Sequence, residues 1–217
     1  LFKTQLRAML RAGTVYPNLS ILFPMISTVG ELSEALALLH QAQKELEEDG
    51  IEARIPQVGI MVEVPAAVYQ IDKLIRMVDF ASIGSNDLTQ YLMAVDRNND
   101  RVAKLYDSLH PVVLAAIHHV VGQVRAAGRT VSVCGEMAGD PAGALLLMAM
   151  GVDSLSMNLG SLLKIKWLIR SVRYDEAQAL LTEVADFDSA TAIRARVNGF
   201  LEQHGLGGLL RVGKWGH

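Results

Sequence analysis

Gln57-Val58-Gly59-Ile60-Met61-Val62-Glu63 is a run of strand length that ends in a carboxylate, with Val64-Pro65 directly behind it. It is too short for an amphipathic helix and lacks the 3.6-residue period. Its centre is apolar without alternation, as in a strand covered on both faces, and such strands belong to parallel sheets. Four other stretches read the same way: Leu19–Met25, Phe80–Ser85, Thr130–Glu136 and Asp153–Met157. Most of them carry β-branched residues.

Helix signals lie between these strands. Thr28-x-x-Glu31 is a capping box, and Leu32, Ala35, Leu36, Leu39 and Ala42 follow it at helical spacing. Asp140-Pro141 puts an N-cap residue before a proline at the first helical position. Val102–Ala127 reads as one long helix closed by Gly128, and Ser189–His204 as a last helix before a Gly-rich tail, Gly205–His217. Alternation of this kind predicts an α/β fold with parallel crossovers. The pattern alone leaves a doubly wound sheet and a barrel both open. Five strands are too few for an eight-stranded barrel of about 250 residues, unless the first three β/α units lie outside the chain.

Composition sets the outer bounds. The 217 residues are 51% hydrophobic and 20% charged, as in an ordinary globular domain with a sizeable core. A formal charge of −3 and the lack of a Lys/Arg stripe argue against nucleic acid. No uncharged apolar run reaches the roughly 18 residues a membrane helix needs, and Ala142–Met150 reads as a buried helix. One cysteine excludes an internal disulfide and fits a reducing, cytoplasmic setting. The chain opens at Leu1, with no charged and apolar leader, and reads as part of a longer protein.

Reactive groups of α/β proteins gather at the carboxyl ends of the strands. Here those positions hold Glu63, Asn86, Asp87, Cys134 and Glu136. Glu63 sits among apolar neighbours, where a carboxylate is costly unless paired or metal-bound, although an acid before a Pro65 helix start is the plainer reading. Ser85-Asn86-Asp87 is either a helix cap or, through Asp87, half of a hard-cation site, since Mg²⁺ takes one or two carboxylates and fills the rest of its octahedron with water and substrate oxygens. Cys134 is either a buried structural thiol or an acid/base thiol exposed at a strand end. Asp96–Asp100 has the look of a calcium loop, but Arg101 stands where such a loop needs glycine. Arg97 suits a phosphate fork or a solvated surface. The histidines at 40, 118, 119 and 204 read as structural.

Three segments together resemble the phosphoenolpyruvate-utilising enzymes: Gly59-Ile60-Met61-Val62-Glu63-Val64-Pro65, Gly84-Ser85-Asn86-Asp87-Leu88-Thr89-Gln90-Tyr91 and Cys134-Gly135-Glu136-Met137-Ala138-Gly139. That group includes enzyme I of the phosphotransferase system, pyruvate phosphate dikinase and phosphoenolpyruvate synthase. Ala94–Asn99 and Tyr106–Pro111 look most like enzyme I, and Gly205–Arg211 is similar to its nitrogen-related paralogue.

The resemblance implies a (β/α)8 TIM-type barrel that is partial, with about its last five β/α units in residues 1–204 and the tail in 205–217. It implies roles as well: Glu63 and Asp87 for Mg²⁺, Asn86, Asp87 and Arg97 for substrate, and Cys134 for the proton at the methylene carbon. A thiol with an ordinary pKa near about 8.5 carries such a proton at neutral pH. The implied activity is a phosphotransferase acting on phosphoenolpyruvate and yielding pyruvate, with a phosphocarrier protein and a second copy of the chain as partners. The family's further arginines come from the first barrel strands, and its acceptor histidine from an N-terminal domain. The chain alone is therefore expected to be inactive in autophosphorylation. Dikinase or synthase chemistry, with an ATP-grasp domain upstream, is the alternative within enzymes. A non-catalytic dimerisation module is the alternative outside them.

Overall fold

A computed structural model describes residues 1–210. The elements run α1 (Phe2–Val15), β1 (Ser20–Phe23), α2 (Val29–Glu48), β2 (Gln57–Val62), α3 (Pro65–Val68), α4 (Ile71–Leu74), β3 (Phe80–Gly84) and α5 (Ser85–Met93). Then come α6 (Pro111–Ala126), β4 (Thr130–Cys134), α7 (Glu136–Gly139), α8 (Pro141–Met150), β5 (Ser154–Ser156), α9 (Leu159–Ser171), α10 (Tyr174–Val184) and α11 (Ala190–Gln203). The strands form one five-stranded sheet in the order β1-β2-β3-β4-β5. A strictly sequential order, with no point at which it turns back, is that of a barrel wall and not of a doubly wound sheet. The fold is α/β, and five consecutive β/α units are consistent with part of a barrel.

The chain divides into two compact units. The first is Leu1–Ser82 with Gln123–Thr130. In it β1 and β2 pair in parallel, with Ser20 opposite Gln57 and Phe23 opposite Ile60. Ile21, Phe23, Val58, Ile60 and Val62 are buried with Leu32, Leu39 and Leu46 of α2. The α2 capping box forms as read: Thr28 accepts the N–H of Glu31, whose carboxylate reaches back to the N–H of Thr28 at 3.0 Å. Gly59 is required by contact, because any Cβ there would run into the ring of Phe80.

The second unit is Ile83–Gly122 with the described chain from Val131 onward. In it β4 and β5 are parallel, and Cys134 stands opposite Ser156 at their carboxyl ends. α8 is buried almost throughout, including Leu145, Leu146 and Leu147, as its apolar sequence predicts. Asp140 caps it by accepting the N–H of Gly143 at 3.2 Å.

The same device sets strand starts in both units. Asp79, just before β3, donates its N–H to the carbonyl of Val58 and accepts the N–H of Val58 at 3.0 Å. Asp153, just before β5, does the same with Val131, its carboxylate accepting at 2.8 Å. Each aspartate closes a two-point clamp that fixes one strand against the next.

Two sequence expectations need correction. The strands end one or two residues inside the apolar runs that marked them, because the last residues of each run already turn towards the next helix. Val102–Ala127 is not one helix: Ala103–Leu105 is a short 3₁₀ turn and α6 begins only at Pro111. A proline disfavours helical conformation in the residue before it and itself suits the first helical position, so the helix cannot pass through His110-Pro111. Its closing signal holds, with Gly128 at φ +70°. Ala190–Gln203 forms as read, capped by Ser189. Of the tail, Gly207–Leu210 forms a 3₁₀ turn, and residues 211–217 lie outside the described residues.

Candidate active site

β4 ends in Cys134, and the chain then passes through Gly135 at φ +113° and ψ −175° into α7. That backbone region is open essentially to glycine alone. There is no room for a side chain either, since a Cβ would stand 2.5 Å from Ser85 Oγ and 2.7 Å from Asn86 Oδ1. The two side chains that crowd Gly135 also hold its neighbours. Ser85 Oγ donates to the carbonyl of Cys134 at 2.8 Å, and Asn86 Oδ1 accepts the N–H of Glu136 at 3.0 Å.

These contacts show what Ser85 and Asn86 do in the fold. The N-cap of α5 is Gly84, with no side-chain cap hydrogen bond. The side chains of Ser85 and Asn86 are spent across the sheet instead, on the turn after β4. With Oδ1 occupied by Glu136, the amide NH₂ is the donor end of Asn86. The thiol of Cys134 is half-buried, and its Sγ lies 3.6 Å from the carbonyl of Ile83, a contact in which the thiol donates.

Around the same turn, Asn86, Cys134, Gly135, Glu136, Ser156 and Asn158 line an open depression of about 290 Å³. Asp87 pairs with Arg97 at 3.5 Å, both side chains a little over one third exposed. Tyr106 donates to the carbonyl of Asn86 at 3.4 Å. Burial pushes its hydroxyl above the ordinary tyrosine value, opposed by a hydrogen bond from Arg97 and by the charge of that guanidinium. Asn86, Asp87, Arg97 and Cys134 thus fall in one unit, with Arg97 held at Asp87 and Tyr106. The Asp96–Asn99 loop that carries Arg97 closes on itself: Asp96 accepts the N–H of Asn98 at 2.9 Å and Asn99 that of Arg101 at 3.1 Å. These are local turns, which Asp96 and Asn99 close through their side-chain oxygens.

Glu63 belongs to the other unit. It follows β2 and is only 4% exposed, and its Oε1 accepts the N–H of Met25 at 2.7 Å. Met25 has φ 56°, a left-handed conformation that a side chain other than glycine's rarely adopts. The turn after β1 is therefore bent to deliver a backbone donor to this carboxylate, and such backbone outliers cluster at functional sites. Both Glu63 and Asp87 offer hard carboxylate oxygens, the donor type Mg²⁺ takes. Among the described residues no cluster of three His, Cys, Asp or Glu side chains forms a metal cage. A cation that completes its octahedron with water and substrate oxygens needs only one or two carboxylates, and each of these two is of the right donor type.

Ser156, Asn158 and Tyr106 are site residues that the sequence reading did not single out. Ser156 was within reach, because it lies near the end of the predicted strand Asp153–Met157 and closes the observed one, as Cys134 does in Thr130–Cys134. Asn158 caps α9 by accepting the N–H of Ser161 at 2.9 Å. Tyr106 stood in sequence only as the start of the family-like segment Tyr106–Pro111, and no role attached to it, since its neighbours Asn86 and Arg97 come from elsewhere in the chain.

Reactive groups at the carboxyl ends of consecutive parallel strands define the catalytic rim of a barrel-type α/β domain. The chain belongs to the phosphoenolpyruvate-utilising enzymes: residues 1–174 match the family described as PEP-utilising enzyme, PEP-binding domain. It is 44% identical over 98% of its length to a protein of Salmonella typhimurium named "Phosphoenolpyruvate-dependent phosphotransferase system", and 45% identical to the Escherichia coli protein of that name. It is 41% identical over 95% of its length to a phosphoenolpyruvate-protein phosphotransferase of Haemophilus influenzae. The chain spans 29% of the length of the first two relatives and 36% of the third. Among solved structures, a citrate lyase of Burkholderia xenovorans superimposes with a TM-score of 0.59, covering 94% of this chain and 69% of that one at 20% identity. At that identity the likeness concerns the fold.

Proposed function

We propose that this chain is the phosphoenolpyruvate-binding part of a phosphoenolpyruvate-protein phosphotransferase, which passes phosphate to a histidine and on to a phosphocarrier protein. The observation that carries the reading is the clamp of Asn86 on the Cys134–Glu136 turn, which sets an amide donor beside a thiol in a chain of this family. In the proposed reaction the bond between phosphorus and the enol oxygen breaks, the phosphoryl group moves to the histidine, and the enolate left behind takes a proton on its methylene carbon to become pyruvate. Asn86, through its NH₂, and Arg97, through its guanidinium, hold the phosphate and offset its charge. Cys134 delivers the proton to carbon and is reprotonated from solvent.

Glu63 and Asp87 are the proposed ligands of Mg²⁺, which when bound supplies charge neutralisation for the phosphate and the enolate oxygen. Titration of phosphoenolpyruvate with and without Mg²⁺ against Glu63→Gln and Asp87→Asn tests this assignment. Affinity that rises with Mg²⁺ in the wild type and loses that response in both variants supports it. Affinity indifferent to Mg²⁺ in the wild type contradicts it.

A homodimer in the cytoplasm completes the proposal. Leu159, Leu163 and Trp167 lie at i, i+4 and i+8 on α9 and are 86%, 77% and 56% exposed, an apolar stripe along one helix face that association would cover. No described helix is long and apolar enough to cross a membrane. The stripe also favours a second reading, a non-catalytic dimerisation module. Sedimentation separates the two, because a module dimerises without binding phosphoenolpyruvate.

A further inference from the structure

The family match ends at residue 174, and α11 lies beyond it. From α11, Arg194 reaches two carboxylates that belong to different parts of the site. Its Nη1 donates to Asp140 Oδ2 at 3.0 Å, and its Nη2 faces Asp107 Oδ1 at 3.7 Å. Asp140 closes the segment that starts at Cys134, as its N–H donates to the carbonyl of Glu136 at 3.1 Å. Asp107 directly follows Tyr106, and its Oδ1 also accepts the N–H of Leu109 at 2.9 Å. Tyr106 in turn touches Asn86 and Arg97.

A guanidinium presents its donors in a fixed plane and can hold two carboxylates at set angles, which the single ammonium of a lysine cannot reproduce. The three side chains are 38%, 35% and 31% exposed, so solvent screens each pair. Such contacts contribute little to the overall stability of the fold. Arg196, two residues further along the same helix, pairs instead with Glu183 at 2.6 Å. It provides an internal control.

We propose that Arg194 is a positioning residue for the site, holding the Tyr106–Asp107 loop and the Cys134–Asp140 segment in register, so that the helix beyond the family match is a working part of the domain. The role rests on the reading of Asn86, Arg97 and Cys134 as the phosphoenolpyruvate machinery.

The single thiol reports on this directly. Iodoacetamide alkylation of Cys134 is followed in the 217-residue chain, with Arg194→Met, Arg194→Lys and Arg196→Met beside the wild type. Arg194→Met is expected to change the rate by about 2- to 5-fold, the scale of one or two part-exposed ion pairs, with Arg194→Lys only partly restoring it and Arg196→Met at the wild-type rate. A wild-type rate in Arg194→Met, or an equal change in Arg196→Met, overturns the proposal. If thermal melting shows that Arg194→Met does not fold, Asp107→Asn, which leaves the Asp140 pair intact, decides by the same comparison. Calorimetry with phosphoenolpyruvate forms a separate arm. A wild-type chain that binds none removes the substrate reading, while the alkylation rates still decide the role of Arg194.

Discussion

Asn86 and Glu136 lie 50 positions apart and are joined by one hydrogen bond, from the backbone N–H of Glu136 to Asn86 Oδ1 at 3.0 Å. The bond uses the acceptor end of the amide to fix the turn after Cys134, and the NH₂ at its other end is the group proposed to hold phosphate. Asn86→Asp separates the two duties. A carboxylate still accepts from Glu136 but brings a negative charge where phosphate is proposed to sit. The variant is expected to melt close to wild type and to lose phosphoenolpyruvate affinity by more than about tenfold, as one charge-assisted hydrogen bond is lost and a repulsion gained. Asn86→Ala is expected to lose both affinity and about 1 kcal/mol of stability. Melting and calorimetry on the same samples check the pair.

Gly135→Ala meets two obstacles at once: a backbone region that excludes side chains, and a Cβ pressed against Ser85 and Asn86. It is expected to cost at least about 1–3 kcal/mol and to spoil the turn. The measurement is chemical denaturation, with Gly128→Ala as comparison, since a Cβ at Gly128 meets nothing within 4 Å and carries only the backbone strain of φ +70°.

Cys134→Ala removes the proposed proton donor without filling its space. Built into an enzyme of the relatives' full length, it is expected to block pyruvate formation while leaving phosphoenolpyruvate affinity within about twofold, because proton delivery is needed only after the phosphoryl group has left. Undiminished pyruvate formation removes Cys134 from the mechanism.

Tyr106 predicts an alkaline effect. Burial raises its pKa above the ordinary 10.0, so the folded chain holds this proton more tightly than the unfolded chain. The stability it contributes is complete below pH 10 and is lost as pH rises through the folded value. Tyr106→Phe, which does not titrate, is expected to lose less stability than the wild type over that alkaline window. Denaturation midpoints taken at pH 8 and above about pH 10 make the comparison.

Much of the architecture was legible because it is written locally. The apolar run Gln57–Glu63 announced its strand, Thr28 and Glu31 announced a helix start, and Asp140-Pro141 another. Where local signals competed, the reading failed: the apolar periodicity of Val102–Ala127 ran straight through His110-Pro111, and the backbone restriction of proline prevailed. α9 escaped notice because part of its apolar surface, Leu159, Leu163 and Trp167, faces outward and blurs the pattern that a one-sided helix would show. The choice between barrel wall and doubly wound sheet rests on strand order, which no single segment encodes.

The site divides in the same way. Cys134, Asn86, Asp87 and Glu63 stood out as polar groups at strand ends, where chemistry gathers in α/β domains. Their connections did not stand out. Ser85 and Asn86 look like helix-capping residues in sequence, and only the fold turns them onto Cys134 and Glu136. Tyr106, Asp107, Asp140 and Arg194 form contacts between distant segments, which spacing along the chain cannot display.

The proposed function requires, before anything else, that phosphoenolpyruvate bind at the carboxyl ends of the strands with the help of Mg²⁺. Isothermal titration of the 217-residue chain with phosphoenolpyruvate, with Mg²⁺ and with EDTA in its place, tests it most directly. Saturable binding that strengthens with Mg²⁺ and is lost in Asn86→Asp is the predicted result. A folded chain that takes up no phosphoenolpyruvate under either condition would contradict the account.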